Sequence, residues 1–304
     1  MHKILSVSFT TASVAAILAM TATACSSGDT SGGQGVGQTQ HEDKQSSPES
    51  SWVPADAPVK TGYFPLGPNG ELRKVQYSEV NGEAVFEGDI ILDRRGEQLF
   101  PPGILGGQNV KPLGVAIPGR TKRWKDKTVA YTIDPDLPNQ QRVIDAIAHW
   151  REHTTLTFVE RTAENKRQYR DYIEFHSGSG CSSRVGREGG SQEITLADIC
   201  SLGATIHEIG HAVGLWHEQS REDRDQFVTV HLENVKPGME HNFEQHISDG
   251  DDIGEYDFAS IMHYRNWEFS KNGEPTLTSK NGEPFGQREK LSDGDLAAVA
   301  KLYP

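Results

Sequence analysis

A stretch between residues 205 and 217 carries three histidines and one glutamate. His207 and His211 are four positions apart, so on a helix their imidazoles project from the same face and can bind one metal ion. Glu208 lies about 100° further round the helix, outside the ligand set but near the open coordination position. Neutral imidazoles suit Zn²⁺, and three protein ligands with an open fourth position are typical of a catalytic zinc site.

The third histidine, His217, reaches the same metal only if the chain turns after the helix. Gly214 stands where this turn is needed, and glycine takes the left-handed conformation at a helix end without a Cβ penalty. The alternative is a helix that carries histidines at i and i+4 by chance. The full pattern, with its glycine and third histidine, favours the metal site over that alternative.

The extended pattern resembles the metzincin clan of zinc endopeptidases. Two neighbouring segments, HEQSREDRD at 217–225 and SIMHY at 260–264, are similar to the astacin family, and the resemblance covers roughly residues 121–304. It implies an α+β fold with a metzincin-type, two-lobed catalytic domain. In such a domain a twisted mixed sheet and the active-site helix lie above the cleft, and a mostly irregular lower lobe ends in a C-terminal helix.

The resemblance also implies a reaction, the hydrolysis of internal bonds in proteins or peptides, with one Zn²⁺ per chain bound by His207, His211 and His217. Glu208 would take a proton from the attacking water and deliver it to the leaving amine. Tyr264 would donate a hydrogen bond to the developing oxyanion. In the family, the residue corresponding to Met262 forms a tight turn beneath the histidines without binding the metal.

Two other functions fit a zinc-binding chain. One is a non-catalytic zinc module on the cell surface that is built on a protease fold. The other is a metal-dependent hydrolase that acts on something other than peptides. Glu208 argues against the first because a binding module needs no base there, and the segment with Met262 and Tyr264 argues against the second.

A short segment before the zinc pattern, Phe86-Glu87-Gly88-Asp89, predicts by itself only a turn between two short strands. Astacin-like precursors carry a Phe-x-Gly-Asp element ahead of the catalytic domain, and its aspartate is thought to occupy the open zinc position. The resemblance therefore implies that Asp89 keeps the precursor latent. A carboxylate is a good zinc ligand, and Gly88 lets the backbone come close.

The N-terminus has the pattern of an export signal over residues 1–24, with a short basic start, an apolar middle and small residues before Cys25. A membrane-spanning anchor is the alternative, although the apolar run is short and contains hydroxyl residues. Small residues ending in cysteine also resemble a bacterial lipoprotein signal, which predicts lipidation of Cys25; ordinary cleavage and release is the other outcome. Either way we expect an exported protein, a cell-envelope lipoprotein or a secreted one.

The chain has three cysteines, and an odd number in an exported protein leaves one thiol to explain. In astacin-like sequences a cysteine pair brackets the segment just before the active-site helix, as Cys181 and Cys200 do. The resemblance therefore implies a disulfide between them. The second disulfide that is usual in the family has no cysteines here to form it, so we expect packing alone to hold the lower lobe.

Residues 25–60 are rich in small and polar residues, and this composition predicts a disordered tether. The resemblance implies a propeptide over residues 61–114 and the catalytic domain over residues 115–304. In the family the new amino terminus, here near Val115, folds inward toward the residue corresponding to Glu218, so an activating protease is a possible partner. The net charge of −13 argues against nucleic-acid binding, and we expect a monomer that contacts a membrane only through its lipid anchor.

Apolar periodicity predicts the elements that position these residues. Helices are expected at 139–153, from about 202 through the zinc pattern, at 238–247, and from Ser292, a good N-cap, through Leu302. The β-rich composition of 155–160 and 172–176 predicts strands there, and further strands are expected at 193–197 and 227–230. The resemblance implies a first strand of the catalytic domain at 128–133.

Overall fold

The structure is a computed structural model that describes residues 52–65, 72–94, 120–246 and 252–304, all within one unit, Asp43–Pro304. The predicted signal peptide at 1–24, Cys25 and the predicted cleavage position near Val115 lie outside these ranges. Within them, no helix combines the length and the apolar character that crossing a membrane requires.

An antiparallel sheet of four strands forms the described part of the segment before residue 95. Its strands, in spatial order, are β1 (Val59–Pro65), β2 (Leu72–Val80), β3 (Glu83–Phe86) and β4 (Ile90–Arg94). Sequence alone predicted only a turn between two strands here. Val53 is also buried, in an apolar cluster that includes Val85 of β3 and Ile91 of β4, although it lies inside the range predicted as a tether.

A second, mixed sheet carries the upper lobe, as the resemblance predicted. Its strands are β5 (Thr128–Ile133), β6 (Thr157–Glu160), β7 (Tyr172–His176), β8 (Cys181–Ser182) and β9 (Ser191–Leu196). The spatial order is β6-β5-β7-β9-β8, and all neighbours are parallel except β8, which runs antiparallel to β9. The edge strand β8 therefore lies next to the segment that leads to the zinc pattern.

Among the described residues three α-helices accompany the sheets, namely α1 (Gln141–His153), α2 (Leu202–Val213) and α3 (Asp293–Leu302). Helix α1 buries Val143, Ile147 and Trp150 and packs against α2, while Ile144 and Ala148, which share its apolar period, are exposed. One apolar core joins both helices to the mixed sheet and includes Val299 of α3. The zinc pattern thus lies on a helix that is fixed from several sides.

The loop before α2 is held by a disulfide and an arginine. Cys181 and Cys200 are bonded, with their Cα atoms 5.9 Å apart. Arg142 of α1 donates hydrogen bonds to the carbonyl oxygens of Ala197, at 2.7 Å, and Cys200, at 2.6 Å. Because buried carbonyls need donors, this side chain fixes the approach of the chain to α2.

Where the structure describes it, the lower lobe contains one small antiparallel sheet of β10 (Val228–Val230) and β11 (Leu277–Ser279) and otherwise little regular structure. The helix predicted at 238–247 is wrong, since the described residues 238–246 form only a short 3₁₀ helix, after which the chain extends at Glu244. The described 3₁₀ helices are Arg120–Lys122, Lys125–Lys127, Glu218–Ser220, Arg224–Gln226, Leu232–Asn234 and Glu240–Phe243.

Candidate metal centre

The ends of α2 place the histidines. The Ser201 hydroxyl accepts a hydrogen bond from the backbone N–H of Ala204 and caps the helix start. Gly214 ends the helix in the left-handed conformation, with φ of 112°. This is the turn that the sequence predicted, and after it the chain returns so that His217 faces His207 and His211.

Each of the three histidines has an acceptor for its Nδ1 atom. Nδ1 of His207 lies 2.8 Å from the carbonyl oxygen of Ile261, and Nδ1 of His211 lies 2.8 Å from that of Leu215. A carbonyl oxygen can only accept, so both Nδ1 atoms carry a hydrogen. Nδ1 of His217 lies 2.8 Å from a carboxylate oxygen of Glu87. These bonds orient the rings and leave the Nε2 lone pairs free to bind a metal.

The three Nε2 atoms converge on one point beside Asp89. Its Oδ2 atom lies 3.3 Å from Nε2 of His207 and 3.1 Å from Nε2 of His217, and its Oδ1 atom lies 3.5 Å from Nε2 of His211. One ligand atom from each of the four residues lies within 4.8 Å of the others, and all four side chains are buried.

This cluster needs a cation. Nε2 of His211 and Oδ1 of Asp89 are buried without a hydrogen-bond partner among the described residues. Nitrogen lone pairs and a carboxylate that face one another repel, and burying such atoms unpaired is costly. Three imidazoles and one carboxylate oxygen are a donor set that Zn²⁺ binds tetrahedrally, so the residues fit a single zinc ion.

Asp89 reaches this point on the connection between β3 and β4. Gly88 in that connection has φ of 80°, a conformation that glycine adopts without strain. The backbone on either side is bound to Ser183: its N–H donates to the carbonyl oxygen of Asp89 at 2.9 Å, and its carbonyl accepts from the N–H of Ile91 at 2.8 Å. The segment thus extends the edge of the mixed sheet, and its aspartate lies over the histidines.

Glu87 is a residue of this centre that the sequence did not reveal. Its Oε2 atom accepts from His217, and its Oε1 atom accepts from the Ser220 hydroxyl at 2.6 Å and lies 2.8 Å from Nε2 of His246. Burial favours a raised pKa for this carboxyl, but His246 and His217 outweigh it and lower the pKa to about 2. Glu87 is therefore a buried, ionised carboxylate beside the metal site.

The segment around Met262 lies beneath the histidines and is fixed by α3. The carboxylate of Asp295 accepts hydrogen bonds from the Ser260 hydroxyl, at 2.7 Å, and from the N–H of Ile261, at 3.0 Å. The same side chain completes a capping box with Ser292, the N-cap that the sequence predicted. The closing helix thus positions the turn that supports the metal site.

We expect Gly210→Ala to destabilise the protein through its contact with this turn. A Cβ atom at Gly210 would lie 2.6 Å from Sδ of Met262, closer than van der Waals contact permits. Overpacking of this kind typically costs about 1–3 kcal/mol, and urea denaturation measures the loss in the free energy of unfolding. Ser177→Ala, which alters only an exposed loop, is the control and should leave the free energy of unfolding unchanged. Gly282→Ala would not serve, because Gly282 has φ of 84°, a conformation that alanine adopts only with strain. An unchanged stability for Gly210→Ala would contradict this packing.

Tyr264 lies within the same centre but is bound by the segment that carries Asp89. Its hydroxyl donates to the carbonyl oxygen of Glu87 at 2.7 Å, and its ring centroid lies 4.7 Å from that of His217. Burial, with Glu87 and Asp89 nearby, raises the pKa of this hydroxyl well above its usual value. Tyr264 is therefore a protonated donor, and its hydrogen bond is committed to the backbone of residue 87.

The remaining carboxylates of the centre differ in their surroundings. Glu208 is fully buried on α2, one position after His207. Glu218 accepts the backbone N–H of Asp257 at 2.8 Å, and Nε of Arg221 lies 3.6 Å away. Burial raises the pKa of Glu218 to about 8, although Arg221 opposes that shift. A cavity of about 40 Å³ adjoins Glu218 and Arg221.

Comparison with known proteins extends these observations. The family model "Astacin (Peptidase family M12A)" matches residues 116–304. Blastula protease 10 of Paracentrotus lividus is 36% identical over 229 residues, 72% of this chain and 38% of that protein. Zinc metalloproteinase nas-4 of Caenorhabditis elegans is 37% identical over 224 residues, 71% of this chain and 68% of that protein.

A solved structure agrees with these relatives. High choriolytic enzyme 1, a hatching enzyme zinc-protease from Oryzias latipes, is 32% identical, with a TM-score of 0.54. The match covers 60% of this chain and 92% of that structure. This chain spans 38% of the length of blastula protease 10 and 37% of that of protein SpAN from Strongylocentrotus purpuratus. The family match covers more than half of the chain and includes all three histidines, and the chain belongs to the astacin family, peptidase family M12A.

Proposed function

We propose that this chain is the latent precursor of a zinc-dependent endopeptidase that hydrolyses internal bonds of proteins or peptides. The observation that carries the proposal is the buried convergence of the three histidine Nε2 atoms beside Glu208. The relatives named as proteases and zinc metalloproteinases support it. A binding module would need the histidines but would have no use for a fully buried carboxylate one position after a metal ligand.

His207, His211 and His217 would hold the zinc in the cleaved protein. The chemistry that Zn²⁺ supplies when bound is a water pKa lowered to about 7 and a polarised scissile carbonyl. Glu208 then takes the proton from the attacking water and delivers it to the leaving amine. Tyr264 donates its hydroxyl hydrogen to the oxygen on which negative charge develops.

Latency follows from two contacts of the segment before residue 95. We assign the fourth zinc ligand to Asp89, which leaves no position open for water or a substrate carbonyl. The carbonyl oxygen of Glu87 meanwhile holds the Tyr264 hydroxyl at 2.7 Å. Both the metal and the oxyanion donor are therefore blocked until the proposed propeptide, residues 61–114, is cut away.

We expect Tyr264→Phe to lower kcat of the cleaved protein by about 10²–10³, the usual loss for one oxyanion donor. The hydroxyl binds the substrate's developing charge, so KM and zinc content should change little. Steady-state kinetics with metal analysis separates these quantities. Tyr131→Phe, on the mixed sheet, is a matched control that should keep the kcat of wild type. A Tyr264→Phe enzyme of normal kcat would remove this residue from the reaction.

We further propose that the amino terminus released near Val115 enters the cavity beside Glu218 and pairs with its carboxylate. This assignment is supported by the cavity, by the burial of Glu218 and by its raised pKa. A buried carboxylate without a full charge partner is stabilised strongly when a cation pairs with it. Losing one partner of a buried ion pair costs about 3–5 kcal/mol. We therefore expect Glu218→Gln to destabilise the cleaved chain by that amount and the uncleaved chain by less, measured by urea denaturation. Equal losses in both forms would rule the pairing out.

From its N-terminal sequence we propose that the protein is exported and held at the cell envelope. Residues 1–24 would be the signal peptide, Cys25 the lipidation site and residues 25–60 the tether. Secretion after ordinary cleavage is the alternative. Mass spectrometry of the exported protein distinguishes a lipidated Cys25 from a free N-terminus. The cleaved domain would act as a monomer, released by an activating protease.

The experiment that tests the proposed function compares the uncleaved chain with the chain trimmed near Val115, each with and without a zinc chelator, on a peptide library. We expect hydrolysis only by the trimmed chain without chelator, and restored hydrolysis when zinc is returned. Zinc binding without hydrolysis would instead indicate a non-catalytic zinc module. Hydrolysis that survives the chelator would exclude the zinc-dependent reaction.

A further inference from the structure

Glu87 contacts the metal centre through the hydrogen bond between its carboxylate and Nδ1 of His217. We propose that Glu87 is a positioning residue. It accepts the hydrogen bond from Nδ1 of His217 and so strengthens zinc binding by the uncleaved chain, and cleavage, which removes Glu87, therefore weakens zinc binding. This inference rests on the proposed zinc site. It concerns a residue to which neither the sequence pattern nor the family resemblance gave a role.

The acceptors of the three Nδ1 atoms differ in origin. Those of His207 and His211 are backbone carbonyl oxygens of residues 261 and 215. Both lie within residues 116–304, the part of the chain that the astacin family model matches. The acceptor of His217 is the Glu87 carboxylate, which lies before that part. Removing the propeptide therefore leaves two of these hydrogen bonds in place and takes away the third.

The acceptor of His217 is also chemically different. A carboxylate that accepts from a ligating imidazole fixes the tautomer and the ring orientation and raises the basicity of the other nitrogen. The bond between His217 and Glu87 is short, at 2.8 Å, and both side chains are at least 99% buried. A charge-assisted hydrogen bond of this kind is stronger than one to a carbonyl.

Two further contacts fix the position of the Glu87 carboxylate. The Ser220 hydroxyl and His246 hold its Oε1 atom at 2.6 and 2.8 Å, so that Oε2 faces His217. The ring of His246 lies against Trp216, with centroids 4.7 Å apart. The carboxylate thus occupies a built site in the lower lobe rather than approaching the histidine by chance.

The test measures the zinc dissociation constant of the full uncleaved chain by competition with a chromophoric chelator. We expect Glu87→Gln to raise this constant by about 10- to 100-fold, the usual effect of losing such a partner. Glu79→Gln is the matched control, because its side chain is 40% exposed and pairs with Lys60 on the same sheet. It should bind zinc as wild type does.

A double variant separates the proposal from an indirect effect through Asp89, two residues away. In an Asp89→Ala background, Glu87→Gln should still raise the zinc dissociation constant by a similar factor. If its effect appears only when Asp89 is present, or if Glu87→Gln binds zinc as tightly as wild type, the proposal is overturned. If Glu87→Gln does not fold, Ser220→Ala decides, since loosening Glu87 should weaken zinc binding and an unchanged constant overturns the proposal. A wild-type chain that binds no zinc would overturn the proposed function as well.

Discussion

Replacing Glu208 with glutamine is expected to remove nearly all peptide hydrolysis by the cleaved chain while leaving its zinc content and fold intact. The amide cannot take a proton from the attacking water, and general acid–base catalysis contributes about 10²–10⁴ in rate. The side chains have nearly the same volume, so the fully buried position on α2 should remain packed. The measurement is kcat/KM on a peptide substrate, with zinc quantified in the same sample.

Glu160→Gln is the matched control for this experiment. Glu160 ends strand β6 and is exposed, so the same change of charge should leave kcat/KM as in wild type. A Glu208→Gln protein that loses both zinc and activity would indicate a structural role in the metal site. Retained hydrolysis at the wild-type rate would contradict the proposed mechanism outright.

Replacing Asp89 with alanine is expected to give the uncleaved chain a measurable activity that the wild-type precursor lacks. The substitution removes the carboxylate that lies 3.1–3.5 Å from the three histidine nitrogens and opens the fourth position of the zinc. The backbone bonds to Ser183 and the Tyr264–Glu87 contact remain. Activity should therefore stay below that of the cleaved chain and appear first with short peptides.

The uncleaved state must be verified in that assay, because a trace of trimmed protein would mimic the result. Mass spectrometry before and after the reaction provides this check. Glu79→Gln, on the same four-stranded sheet, should remain latent. An intact Asp89→Ala precursor with no more activity than wild type would contradict this prediction.

Local patterns predicted the parts of this molecule whose causes are local. The spacing of His207 and His211, the turn at Gly214 and the cap at Ser292 depend on residues within a few positions of each other, and the structure contains each of them. The mixed sheet and the two-lobed α+β fold were implied by the family resemblance and are confirmed. The disulfide between Cys181 and Cys200 is present as well.

The contacts of Glu87 were not predictable in this way. Its partners His217 and His246 follow it by 130 and 159 positions, so no spacing or periodicity connects them. The same contact explains the wrong helix at 238–247. After the 3₁₀ helix Glu240–Phe243 the chain extends, which brings His246 to Glu87, and tertiary contacts therefore override the local helical pattern.

The central claim is that one zinc ion is held by the three histidines and, before cleavage, by Asp89. Anomalous X-ray scattering at the zinc edge from crystals of the uncleaved chain tests it most directly. The account predicts a single zinc, with the Nε2 atoms of His207, His211 and His217 and one Asp89 oxygen at about 2.0–2.2 Å. A zinc bound elsewhere, or one at the histidines with the Asp89 carboxylate beyond ligand distance, would contradict it.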